Sequence, residues 1–320
     1  MHLVRERRLA GLIEPPAGSK VLEASGVIAK GRDYYVIFDN IRRVARIDPR
    51  LAEGASRNGW FGPARSGDGY EDIAFSPHTR RFYLLVEAEK HPDGTYKGMI
   101  DQCDEAGRFK GRHWIDLSFE KRNTGFEGLA VVRRGGKDYL LALCEGNRCR
   151  GGRKGRKGGG GRIHVLVRQG RMWKPIACVK LPPSVEFEDY SAVSLRGDRI
   201  AVISQMTSRL WIGRLSKTDW TIAGKGRLYD FPRTKKGNPR YCTLEGLCWL
   251  SDTTFVLVSD LSNRGYRAGC RKKDESIHVF RLPGARRSRQ AGASVAIPHQ
   301  TGRRGDATCR ARTVEQADRV

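Results

Sequence analysis

Seven carboxylates stand at two repeating kinds of place in this 320-residue chain, and their spacing is the first chemistry it offers. Three open a short apolar run: Glu71 in Tyr70-Glu71-Asp72-Ile73-Ala74-Phe75, Glu127 in Phe126-Glu127-Gly128-Leu129-Ala130-Val131, and Glu245 in Leu244-Glu245-Gly246-Leu247-Cys248-Trp249. Four close such a run: Asp39 after YYVIF, Glu87 after YLLV, Glu145 after LLALC and Asp260 after VLVS. Gathered at one opening, these acids repel one another unless a cation, a proton or a buried donor intervenes. An oxygen-only set suits a hard divalent ion such as Ca²⁺ or Mg²⁺. The expected ligands are Asp39, Glu71, Glu87, Glu127, Glu245 and Asp260, with Glu127 and Glu145 as the catalytic carboxylates that orient water or move a proton. Two plainer readings stay open: the three motif glutamates latch neighbouring units by accepting backbone N–H bonds, and the four run-ending acids are solvated strand ends.

Cations lie close by in sequence. Residues 148–162 (RCRGGRKGRKGGGGR) carry seven Lys or Arg and no acid, and NRGYRAGCRKK (263–273) is also basic. Arg148, Arg150, Arg264 and Arg267 are the expected holders of a phosphate or carboxylate group, which guanidinium pairs bidentately. The glycine-rich run lacks the GxxxxGK[ST] pattern, so it is no P-loop, and its plainer reading is a solvated linker. His164 and His278 occupy matching places in RIHVLV and SIHVFR, where packed imidazoles are commoner than general bases. The chain has neither a GxSxG elbow nor an HExxH pair.

For the acids to meet, the elements that carry them must repeat. Ala24-Ser25-Gly26-Val27-Ile28 and Tyr190-Ser191-Ala192-Val193-Ser194 are weaker copies of the glutamate motif. Taking Ser25, Glu71, Glu127, Ser191 and Glu245 as equivalent, the steps are 46, 56, 64 and 54 residues. A step near fifty holding several short strands is the signature of propeller blades. The reading is an all-β, five-bladed β-propeller of four-stranded antiparallel blades. Adjacent strands run antiparallel, so the start of each first strand and the end of each second strand share one rim. The fifth repeat has only three strands, and residues 3–13 (LVRERRLAGLI) form an orphan strand ahead of Pro15-Pro16. The N-terminal strand therefore closes the last blade and removes open edges. The propeller spans 1–283, and the basic stretch 284–320 reads as a disordered tail.

The motif copies FEGLAV, YEDIAF and LEGLCW resemble the repeats of the phytase-like, or esterase-like phytase, β-propeller family, and are similar to those of SdiA-regulated propellers. The resemblance covers residues 1 to about 283. It implies acidic residues holding a metal at one face and hydrolysis of phosphate or other esters, and sugar-lactone-hydrolysing propellers are a neighbouring class. Glu71, Glu127 and Glu245 match the repeated glutamate, whereas Ser25 and Ser191 depart from it.

The formal net charge of +25 favours anionic partners. Nucleic acid is not favoured, since the aromatic residues sit within strand patterns rather than among the basic runs. No apolar run has the length to span a bilayer, and the N-terminus as numbered lacks the apolar core of a secretory signal. The expectation is a cytoplasmic monomer acting on a small anionic substrate. With eight dilute cysteines, Cys103, Cys144, Cys178 and Cys248 read as buried free thiols. Cys149, Cys242 and Cys270 map to connections at the acidic rim, where a disulfide or a reactive thiol would be the less common state. The function expected is a divalent-metal-dependent hydrolase of a small anionic ester. The alternative is a non-catalytic propeller that binds a protein or acidic partner.

Overall fold

In each repeat the second strand is a nearly unbroken apolar run, a composition that demands cover on both faces of its sheet. The computed structural model, which describes residues 1–284 except 68, 123 and 263–267, supplies that cover by packing sheet against sheet. β1 (His2–Arg8) leads the chain. A first sheet follows from β2 (Ala24–Lys30), β3 (Asp33–Phe38), β4 (Val44–Ile47) and β5 (Gly59–Phe61). Next come β6 (Ile73–Ser76), β7 (Arg81–Lys90), β8 (Tyr96–Asp104) and β9 (Phe109–Phe119), then β10 (Phe126–Arg134), β11 (Lys137–Cys144), β12 (Arg162–Gln169) and β13 (Met172–Lys180). A further sheet holds β14 (Ala192–Arg196), β15 (Arg199–Ser204), β16 (Arg209–Leu215) and β17 (Ile222–Asp230). The last is built from β18 (Leu244–Ser251), β19 (Thr254–Ser259) and β20 (Ser276–Arg281), with β1 paired antiparallel to β20 in the fourth place.

The second and third groups are not separate sheets. Their outermost strands meet in a short parallel pairing, Met172 to Trp114 and Trp173 to Ile115, which merges them into one eight-stranded sheet. β9, eleven residues long, pairs with β8 along one edge while the middle of its other edge meets β13.

Five apolar clusters hold these groups together, each between consecutive groups in chain order. Tyr35 and Ile37 pack with Phe82 and Leu84, Leu85 and Ile100 with Leu129 and Leu140, and Leu141 and Leu143 with Val193 and Val202. Ile203 packs with Leu247 and Leu257, and Val256 and Val258 return to Val27 and Val36. The first strands likewise contact one another in cyclic order, β2, β6, β10, β14, β18 and back to β2. All-β sheets stacked face to face around a closed circuit are the arrangement of a propeller. Each fully buried aliphatic side chain in these clusters contributes about 1.5–3 kcal/mol.

The glycine of the repeated motif has a packing role. A Cβ on Gly128 would lie 2.8 Å from Val193 N, and one on Gly246 would lie 2.7 Å from Val27 N, so neighbouring first strands approach too closely for any side chain there. The N-terminal strand is shorter than the sequence pattern suggests. It stops at Arg8 because Leu9, Leu12 and Ile13 turn inward to the core, the turn being held by Leu9 N–H on Glu275 O and Leu12 N–H on Leu9 O. The stretch expected as a tail lies, apart from Gly284, outside the described residues.

Candidate functional site

The rim predicted from strand direction is present. Asp39 N–H donates to Glu23 O, Glu145 N–H to Gly125 O and Asp260 N–H to Thr243 O, at 2.9, 3.1 and 2.9 Å. Each of these three bonds ties the start of a first strand to the end of the second. Glu71 N–H donates to Leu85 O, again at 2.9 Å; here the second strand does not end at Glu87 as expected but runs on to Lys90, with Glu87 at a break in register between Val86 and Glu89. The side chains converge accordingly: Glu127 feels the charges of Glu71, Glu145, Glu245 and Glu87, while Glu245 feels Asp260, Asp39, Glu71 and Asp189. Acids drawn from residues 39 to 260 thus share one opening.

Burial, followed by mutual repulsion, raises their proton affinity. Asp39 is pushed up to about 8, by burial first and then by Asp260 and Glu23. Asp260 rises to about 7, again chiefly by burial. Glu71, Glu127 and Glu245 are displaced in the same direction, by burial first and then by the neighbouring carboxylates. Asp39 Oδ1 and Asp260 Oδ1 are buried with no hydrogen-bond partner among the described residues.

The latching role falls to other residues. Asp72 Oδ2 accepts Leu129 N–H of the next group at 2.6 Å while its Oδ1 accepts Ile73 N–H. Ser191 Oγ–H donates to Leu244 O at 2.9 Å, and Ser25 Oγ–H makes the matching bond to Tyr70 O. The two serines that depart from the glutamate pattern therefore tie their groups to the next. Among the described residues, Glu71, Glu127 and Glu245 accept no backbone bond.

A cavity of about 350 Å³ opens beside Glu127 and Glu145, lined also by Asp189, Gln205, Arg150 and Arg156. Its cationic wall is the glycine-rich run, which is an ordered loop rather than a solvated linker. Asn147, almost fully buried, organises it: Nδ2 donates to Gly155 O and Phe187 O, and Oδ1 accepts from Gly160 N–H and Tyr190 O–H, all at 2.7–2.8 Å. A Cβ on Gly146 or Gly155 would fall 2.0 or 1.9 Å from Arg150 O, so the glycines let the loop fold tightly on itself. Glu145 is raised by burial and by Asp189 and lowered by Arg156 and Lys121. Asp189 accepts Ser204 Oγ–H. Of the arginines singled out from sequence, Arg150 lines the cavity, Arg148 is exposed and is not part of the lining, and Arg264 and Arg267 lie outside the described residues. Arg156 and Asn147 went unsingled because nothing in a basic, glycine-rich run distinguishes one cation or one amide from the next.

Cys103 is the buried free thiol expected, but the other cysteines depart from expectation. Cys144 is joined to Cys149 and Cys242 to Cys270 in disulfides, leaving, among the described residues, Cys103 buried, Cys178 exposed and Cys248 partly covered as free thiols. Cys144 is wholly buried as its apolar strand suggested, but that same strand end carries it to the returning loop. Both third-strand imidazoles are packed: His278 bonds Ser259 Oγ at 2.8 Å and Glu6 at 3.3 Å, and His164 contacts Cys149 Sγ at 3.3 Å.

No protein-family model matches the sequence, and no curated protein matches it. Among solved structures, the chain is similar to Myxococcus xanthus glutaminyl cyclase (TM-score 0.49, 10% identity, covering 87% of this chain and 95% of that one). It is also similar to the GH43_1 enzyme from Xanthomonas citri complexed with xylotriose (0.48, 12%, 85% and 90%). A third is the PQQ-bound aldose sugar dehydrogenase of Streptomyces coelicolor (0.46, 12%, 86% and 97%).

Proposed function

We propose that the chain is a five-bladed propeller, each half of the eight-stranded sheet counting as one blade. Its acidic mouth is the site of a divalent-cation-dependent hydrolase of a small anionic ester. The observation that carries this reading is the pair of buried oxygens without a hydrogen-bond partner among the described residues, Asp39 Oδ1 and Asp260 Oδ1, set among the carboxylates of Glu23 and Glu87. Oxygen-only donors of this kind fit Ca²⁺ or Mg²⁺. Glu71, Glu87, Glu127 and Glu245 complete the set. Among the described residues the one group of three His, Cys, Asp or Glu ligand atoms all within 4.8 Å of one another is Cys144, Cys149 and His164. A cation among the acids would therefore be held by fewer than three of their oxygens at close range and would keep several waters, as Mg²⁺ commonly does. A bound cation would polarise the scissile ester oxygen. Glu127 and Glu145, on the cavity wall, hold or move the proton of an attacking water, and Arg150 and Arg156 pair with the anionic group of the substrate.

This reading retains the phytase-like and SdiA-regulated resemblance. It parts from a cytoplasmic setting, since two disulfides favour an oxidising compartment; among the described residues no helix is long and apolar enough to cross a membrane. One observation favours the alternative of an acidic partner. A cleft of about 600 Å³ is lined by Arg233, Lys235, Arg240, Lys272 and Lys273 with no acid among its lining residues.

Thermal unfolding with Ca²⁺ or Mg²⁺, run beside phosphate release from a panel of phosphate monoesters, tests the proposal. The wild type gains about 2.7 kcal/mol at a cation concentration a hundred times Kd and turns over at least one ester, while the Glu127→Gln, Glu245→Gln double variant does neither. Absence of a shift in both proteins removes the cation from the reading, and a blank panel with a retained shift removes catalysis.

A further inference from the structure

Two sulfurs and an imidazole meet on one face of the β11–β12 ladder. Cys144 ends β11 and is wholly buried, whereas Cys149, in the returning loop, is only partly covered. His164 on the facing strand places Nε2 3.3 Å from Cys149 Sγ. Arg148 and Arg150 flank Cys149 in the chain, and positive charge favours a thiolate at that position. Arg148 and Cys149 both adopt left-handed backbone, φ 57° and 55°, a conformation that strains non-glycine residues and persists only where the surroundings impose it. The cysteines are five residues apart in sequence, so the bridge restrains the unfolded chain far less than the 28-residue span of Cys242–Cys270 does. At that second disulfide both sulfurs face Pro239 O and, among the described residues, neither has an imidazole at hydrogen-bond distance.

We propose that Cys144–Cys149 is an exchangeable disulfide, opened by a dithiol reductant that attacks Cys149 with His164 carrying the proton. The reductant's thiol gives its proton to His164 Nε2 as its sulfur bonds to Cys149 Sγ. The Cys144–Cys149 bond breaks, and Cys144 leaves with the electron pair and takes the proton back from His164. The second thiol of the reductant then closes on the first, releasing Cys149 as a thiol. The protein has gained two electrons and two protons, and the dithiol has become a disulfide. Cys144 is the sulfur that leaves because it is the one that solvent does not reach. Opening also unfastens the turn from Glu145 to Cys149 beside the cavity.

The experiment treats the full chain, in a Cys178→Ser background that removes the exposed thiol opposite His164 on β13, with dithiothreitol. Acid quench, alkylation and peptide mass spectrometry then follow both disulfides in the same molecules. Cys144–Cys149 is expected to open at least about tenfold faster than Cys242–Cys270, and His164→Gln to slow the first by about tenfold or more while leaving the second unchanged. Because a loosened fold would speed both bonds, the rate is read as their ratio. A ratio near one in the unmodified His164 protein, or a ratio untouched by His164→Gln, overturns the proposal.

Discussion

Asp39 and Asp260 are largely buried on folding and have other carboxylates as neighbours, so burial does most to raise the proton affinity of each. Linkage turns this into a stability profile. An acid whose proton affinity rises on folding contributes stability that is fully present below its unfolded value, 3.8 for Asp39, and is lost as pH climbs through the folded value of about 8. The metal-free protein is therefore expected to lose stability between about pH 4 and pH 8. A divalent cation should reverse the trend, with its effect growing toward the upper end of that range as protons cease to compete. Urea midpoints across this range, with and without Mg²⁺, check both halves. A profile that rises with pH in the absence of cation would place the dominant titration elsewhere.

At the scale of the strand, the motif Glu-Gly-Leu divides its work among three neighbours. The glutamate turns to the mouth, the leucine enters the cluster between sheets, and the glycine lets the next first strand approach. Gly128→Ala and Gly246→Ala each force a Cβ to within 3 Å of backbone nitrogen, which cannot move without its strand. Each is expected to cost about 1–3 kcal/mol or more. Gly98→Ala, whose Cβ would meet Ile115 Cδ1 at 3.4 Å, is an ordinary contact and should cost under about 1 kcal/mol. Denaturant midpoints at unchanged slope measure all three, and equal losses would mean that close approach of the first strands is not what the glycines serve.

For the molecule as a whole, closure depends on the ends of the described chain meeting. β1 covers the edge of β20, and Glu6 on that strand bonds Lys273, His278 and Tyr241. The His278 hydrogen bond leads the causes that hold Glu6 down to about 2. Its contribution is present above the ordinary value of 4.5 and fades as pH falls through about 2. Removing residues 1–8 leaves the β20 edge unpaired, an invitation to pair with another chain. The truncated protein is expected to associate on size-exclusion chromatography and to unfold at lower denaturant than the full chain. A truncated protein that stays monomeric at full stability would show that β1 is dispensable to closure.

How much of this was legible follows from what each residue's role depends on. Motif period, strand polarity and the vacancy in the last repeat are local properties of the chain, and from them came the all-β repeats, the shared rim of acids and the return of the N-terminal strand. Where the role depends on a partner distant in sequence, the reading failed. Asp72 stands where the other two glutamate motifs have glycine, and its role is set by Leu129 N–H of the next group; Ser25 and Ser191 depart from the glutamate pattern although they bridge to Tyr70 and Leu244. The basic glycine-rich run read as linker because close approach to a single carbonyl, Arg150 O, leaves no trace in composition. Cys144 read as a free core thiol because the loop that returns Cys149 to it is built around Asn147 by bonds to residues as far off as Tyr190. The sequence by itself determined which residues alternate, repeat and end strands, since those follow from backbone geometry and burial one segment at a time. Only the tertiary structure decided which polar groups meet, because hydrogen bonds and disulfides require atoms within a few ångströms, and such distances are set by how the sheets stack and not by spacing along the chain.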